Sequence, residues 1–141
     1  MDEIKLESIS LNPLKRIKLE DGDVLHALKS NDTEFKSFGE AYFSFVNYGK
    51  IKAWKLHKLM TLNLIVPIGE VKFVFTNNKS SEFREIIIGE ESYKRITVPP
   101  GIIFGFQGKS KGANLLLNIA DIQHDGAESI RFNLDFINYK W

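Results

Sequence analysis

The chain contains no cysteine, which removes disulfide frameworks, thiolate metal sites and cysteine nucleophiles from consideration. No apolar run approaches the roughly 18 residues that a membrane-spanning helix needs. Charge of neither sign dominates: 19 Lys and Arg stand against 18 Asp and Glu, a formal net charge of +1. A nucleic-acid partner calls for a concentrated basic face, so none is expected. The opening stretch Met1-Asp2-Glu3-Ile4-Lys5 is acidic and lacks the apolar core of a signal peptide. The expectation is a soluble cytoplasmic protein with no membrane partner. A helical period of useful length is missing, as are glycine-rich phosphate loops, serine triads and paired-carboxylate motifs. His26, His57 and His124 show no local ligand spacing such as His-x-His, so neither a metal nor a cofactor is expected.

What the chain does have is strand signal. Its 141 residues favour one domain, 1–141, long enough to close one hydrophobic core. Hydrophobic residues make up 43% and aromatics 12%, eleven of them Phe, a composition suited to strands around an apolar interior. Ile4 to Leu11 alternates apolar and polar side chains, the period of a half-buried strand. Further extended segments are expected at 14–19, 24–29, 40–48, 51–57, 59–66, 70–75, 83–88, 94–98, 102–107 and 113–120. Asp21-Gly22-Asp23, Gly49-Lys50, Asn77 to Ser81, Gly89-Glu90-Glu91 and Pro99-Pro100-Gly101 supply the turns. About ten short strands with turns at this spacing indicate a sandwich or barrel. The tail from Asp121 to Trp141 is mixed in character and expected to wrap the outside.

The residues with chemical potential cluster in Lys52-Ala53-Trp54-Lys55-Leu56-His57-Lys58. His57 has the ordinary pKa of a base near neutrality. Lys52, Lys55 and Lys58 are candidates for stabilising an enolate or binding a diphosphate. Against this stands the plain reading of solvated strand-edge lysines around a half-buried histidine. His26 is open to a phosphate contact or simple packing. Asn63 and Asn118 are polar residues inside apolar strands; each needs a partner if buried, in a ligand cavity or otherwise.

The order of these pieces resembles the dTDP-4-dehydrorhamnose 3,5-epimerase family. The likeness runs through Gly22-Asp23, Leu56-His57, Gly69-Glu70-Val71, the Pro99 to Phe106 segment and Tyr139-Lys140-Trp141, over about residues 14–141. It implies an all-β double-stranded β-helix (cupin, jelly roll) and a homodimer. The N-terminal strand, left as a free edge, is the expected dimer contact. The implied activity is epimerisation at C3 and/or C5 of a nucleotide-linked 4-keto-6-deoxy sugar in surface-polysaccharide or lipopolysaccharide synthesis. His57 would be the base, and Tyr48, or Tyr42 on the same strand, would replace the family's tyrosine. Lys52, Lys55, Lys58, Asn63, Asn118 and His26 would contact substrate. The chain departs from the family at Trp54, Phe104 and Leu117. Those departures keep open a sugar-nucleotide-binding cupin with little or no catalysis.

Overall fold

The computed structural model describes residues 4–77 and 81–141. Among the described residues twelve strands follow one another: β1 Ser10–Pro13, β2 Arg16–Ile17, β3 Val24–Leu25, β4 Glu40–Phe45, β5 Ile51–His57, β6 Leu62–Ile68, β7 Glu70–Thr76, β8 Phe83–Gly89, β9 Lys94–Val98, β10 Ile103–Gly108, β11 Leu115–Ala120 and β12 Ser129–Arg131. One antiparallel sheet runs β1-β9-β6-β11-β4 and the other β12-β5-β10-β7-β8, while β2 and β3 form a small separate ribbon. The two five-stranded sheets make the jelly roll that the resemblance implies. Among the described residues no helix is long and apolar enough to cross a membrane.

The period-2 alternation of the strands decides which face is buried. Leu62, Leu64, Val66, Ile96, Val98 and Leu116 of the first sheet meet Val71, Phe73, Phe75, Ile86, Ile88 and Phe104 of the second. Burial of this apolar surface is the main term favouring the fold. A smaller cluster lies around Trp54, Val74, Ile103 and Ile137, with Phe83, Phe132, Tyr139 and Trp141 packed against it. The C-terminal residues are thereby held against β5, as expected of a wrapping tail. The tail also contributes β12, which pairs with β5.

Several expected boundaries shift for physical reasons. Ile4 to Leu11 is not one strand: Leu6–Ser8 forms a 3-10 turn. The following β1 pairs with β9 of the same chain through Ser10↔Thr97 to Pro13↔Lys94. β1 thus has one partner within the chain, and as the end strand of its sheet it keeps an unpaired outer edge among the described strands. Pro67 does not end β6, which continues to Ile68. A register shift between Leu115 and Leu117 on β11, together with β9 pairing only from Leu62 to Ile65, suits a residue without an N–H. Residues 78–80 of the expected loop at Asn77 to Ser81 lie outside the described residues.

Asn114 ties the sheets together. Its Oδ1 accepts from the N–H groups of Glu70 at 2.9 Å and Ser110 at 3.1 Å. Its Nδ2 donates to the carbonyls of Val46 at 3.0 Å and Ser110 at 2.9 Å. Beside it Gly69, with φ of 80°, turns β6 into β7; a Cβ there would lie 2.2 Å from the Ala113 carbonyl.

The packing gives a direct expectation. Leu116 is fully buried whereas Ile87 is 46% exposed on β8. Leu116→Ala should cost about 2–5 kcal/mol in urea unfolding. Ile87→Thr should stay within about 0.5 kcal/mol. Equal losses would contradict the assignment of inner and outer faces.

Candidate active site

A cavity of about 690 Å³ opens between the two sheets. β5, β10 and β12 with the segment after it form one wall; β4, β6 and β11 form the other. Leu62, Phe104 and Phe106 line it with apolar surface, and Tyr42, Ser44, Lys52, Lys55, His57, Asn118, Arg131 and Asn133 bring polar groups to it.

His57 ends β5 and is 6% exposed. Its Nδ1 lies 2.5 Å from Glu128 Oε1, and its ring centroid is 6.3 Å from that of Phe104. Glu128, 4% exposed, is itself fixed: Oε2 accepts from the N–H groups of Leu59 and Met60, both at 3.2 Å. Backbone bonds hold both residues. Gly101 N–H donates to the His57 carbonyl at 2.8 Å, and Lys58 N–H donates to the Glu128 carbonyl at 2.7 Å. The Pro99-Pro100-Gly101 corner thus anchors the strand end that carries His57.

Burial pushes the Glu128 carboxyl upward, but its bonds to His57, Leu59 and Met60 outweigh this and leave it below the ordinary value. An ionised carboxylate can only accept. Nδ1 of His57 therefore carries the proton, and Nε2 keeps its lone pair. Nε2 has no hydrogen-bond partner among the described residues. For His57, burial is the largest influence and lowers the pKa; Glu128 pulls it up, and Lys55 and His124 push it down. The net direction is downward, so the imidazole is neutral at pH 7 and available as a base.

The other residues named from the sequence divide. Lys55 and Asn118 line the cavity, with Asn118 Nδ2 donating to Ser44 Oγ at 3.3 Å. Lys52 lines it as well, but its ammonium donates to the Phe45 carbonyl at 2.9 Å. Tyr48 lies beyond the end of β4, is 54% exposed and does not line the cavity. Tyr42 does, because even positions of β4 face inward. Lys58 is exposed and outside the cavity, one residue beyond the last of β5. Asn63 faces the opposite side of the first sheet, where Thr97 Oγ1 donates to its Oδ1 at 2.6 Å. His26 lines a different concavity of about 460 Å³ beside Arg95. Among the described residues no group of three His, Cys, Asp or Glu could hold a metal.

Glu128 and Arg131 were missed by the sequence reading. The available signal was the alternation Ser129-Ile130-Arg131-Phe132, a strand period inside a tail treated as irregular.

A jelly roll that holds a carboxylate-braced imidazole between its sheets defines a proton-transfer site within the cupin class. No protein-family model matches the chain, nor does any curated protein sequence. Solved structures do. A dTDP sugar isomerase from Desulfovibrio desulfuricans G20 is 33% identical, with a TM-score of 0.90 over 96% of this chain and 91% of that one. The chain belongs to this dTDP sugar isomerase family. The fold is shared with the sugar 3,4-ketoisomerase QdtA of Thermoanaerobacterium thermosaccharolyticum, solved in complex with TDP. That protein is 22% identical, with a TM-score of 0.77 over 94% of this chain and 93% of that one. It is shared too with dTDP-4-dehydrorhamnose 3,5-epimerase from Sulfolobus tokodaii, 20% identical, with a TM-score of 0.79 over 98% and 85%.

The braced histidine is open to measurement. Nitrogen NMR of His57 should show the Nδ1–H tautomer and a titration below the ordinary value near 6.5. Because Glu128 raises this pKa, Glu128→Gln should move it further down. An upward move would contradict the assignment.

Proposed function

We propose that this chain is a sugar-nucleotide epimerase or ketoisomerase that removes the proton α to the ketone of a nucleotide-linked 4-keto-6-deoxy sugar. The observation that carries this reading is the buried His57–Glu128 pair, with His57 lining the cavity and its Nδ1 engaged by the carboxylate. Nε2 takes the proton, and the electrons of the broken C–H bond move onto the ketone oxygen to give an enolate. The Glu128 carboxylate stabilises the imidazolium so formed. Ser44 and Asn118 on the facing sheet supply donors for the enolate oxygen. Return of a proton to the opposite face inverts the carbon. Tyr42 on β4, across the cavity from β5, is the donor this reading assigns in place of Tyr48. Burial, then Glu40, raises the Tyr42 pKa, with Arg131 opposing, which keeps the phenol protonated. The TDP held by the ketoisomerase of the same fold supports a thymidine-linked sugar.

The finer reading places the reaction in surface-polysaccharide or lipopolysaccharide sugar synthesis in the cytoplasm, by a homodimer. Support for the dimer comes from β4, which pairs only with β11 among the described strands. Phe43 and Phe45 on its outer face are 63% and 65% exposed. An unpaired edge beside an apolar face is a site for a second copy.

The test is NMR of a thymidine-linked 4-keto-6-deoxy sugar in deuterated buffer. Wild type should exchange the α proton, and His57→Asn should slow exchange by about 10²–10⁴-fold. Tyr42→Phe should suppress inversion more than exchange. Exchange unaffected by His57→Asn would remove the histidine from the mechanism, and absence of exchange in wild type would favour a binding protein. Light scattering should give a dimer that Phe43→Asp dissociates; a wild-type monomer at micromolar concentration would rule the dimer out.

A further inference from the structure

The strand that delivers Glu128 to His57 is slight. β12 has three residues, half-buried to exposed, and pairs only with β5 among the described strands. So short an edge strand has little stability of its own. At one end it is held by the bonds of Glu128. At the other end it is held by Trp54. Phe132 and Trp54 exchange both backbone bonds, at 3.0 and 3.2 Å, and carry the ladder one pair further. The chain then turns through Leu134–Phe136, and the indole N–H of Trp54 donates to the Leu134 carbonyl at 3.0 Å. Further along, Trp141 and Tyr139 close on the same indole, with ring centroids 5.3 and 6.2 Å away. They are fastened in turn to β7 and β8 across the sheet. Tyr139 packs on Phe83 and bonds to the Glu85 carboxylate, and the Lys72 ammonium lies 5.1 Å from the centre of the Tyr139 ring. Trp54 is almost completely buried in this cluster, yet it also lines the cavity.

We propose that Trp54 is a positioning residue, a refinement that rests on the proton-transfer reading above: by clamping the tail it keeps Glu128 on His57 and the segment 131–134 on the cavity. Ser129 stands opposite His57 and Phe132 opposite Trp54, so the short strand is stretched between two fixed points. One point is ionic, the other aromatic. Releasing the aromatic point leaves a three-residue strand free to fray from that end, and water then reaches the imidazole. The consequence for His57 has a sign. Burial is the largest influence on its pKa and lowers it, while Glu128 raises it. Loss of the carboxylate alone therefore moves the value down, whereas fraying removes both influences and moves it up toward the ordinary range.

The experiment is nitrogen NMR of His57 in the full chain. Trp54→Phe keeps a ring but removes the donor to Leu134. Trp141→Ala removes a ring of the clamp that does not itself line the cavity. In both, the His57 titration should move up toward about 6.5, and the Nδ1–H tautomer should lose population. Trp141→Phe, which keeps an aromatic ring in the clamp, should restore most of the wild-type titration. Ile88→Ala, a core truncation on β8, should lower the melting temperature and leave the titration of His57 where it is in wild type; a purely structural role for Trp54 would give its variants that same outcome. If Trp54→Phe does not fold, Trp141→Ala decides. Folded variants with the wild-type titration and tautomer would overturn the proposal. With a thymidine-linked 4-keto-6-deoxy sugar, Trp141→Ala should slow α-proton exchange at least about tenfold. Absence of exchange in wild type, with the titration shifts as expected, would instead count against the catalytic reading and leave the clamp standing.

Discussion

The hydrogen bond between Glu128 and His57 is where the tail of the chain and the middle of the second sheet become one structure. Glu128 reaches the site only because β12 adds itself to β5, with Ser129 opposite His57. Its second oxygen caps the N–H groups of Leu59 and Met60, which have left the ladder of β5. A carboxylate buried there without these donors would carry a large desolvation cost. With them it is ionised, fixes the imidazole tautomer and sets the direction of both pKa shifts. Arg131, Phe132, Asn133 and Leu134 line the cavity as a result of the same docking. One interaction therefore organises both the imidazole and one side of its enclosure.

Its linkage to pH has a definite sign. His57 has a depressed pKa, so its contribution to stability is present above its unfolded value near 6.5 and is lost as pH falls through the folded value. Glu128 is depressed as well, and its contribution fades at lower pH, below the ordinary carboxylate range. Both act in the same direction, and acid weakens the attachment of the tail at the point where Glu128 holds the imidazole.

Much of this was legible in the sequence, and unevenly so. β5 was read at its full extent, Ile51–His57, because Gly49-Lys50 marks its start, although Ala53-Trp54 breaks the alternation where the pairing with β10 shifts register. β4 was harder. Tyr42, Phe43, Phe45 and Tyr48 place aromatics on both parities, so the segment itself does not reveal which face is inward. Pairing with β11 settles it: Tyr42 opposes Asn118, and Phe43 opposes Leu117. Glu128 was invisible for a different reason. A glutamate in a polar stretch normally reads as solvated, and its partner lies 71 residues away. Asn63 shows the converse: a buried amide in an apolar strand invited a ligand role, yet Thr97 on the neighbouring strand satisfies it.

Asn114 carries a consequence for the ageing of the molecule. Its amide uses two acceptor and two donor positions on three separate backbone segments, the whole capacity of the group. Asparagine is among the chemically labile residues, and its hydrolysis product is nearly the same shape. The resulting carboxylate would keep the two bonds it accepts but face the Val46 and Ser110 carbonyls with nothing to donate. A change of one atom, without any substitution in the gene, would thus turn a tie between the sheets into a repulsion. The durability of the fold in storage depends on how well that buried amide is shielded from water.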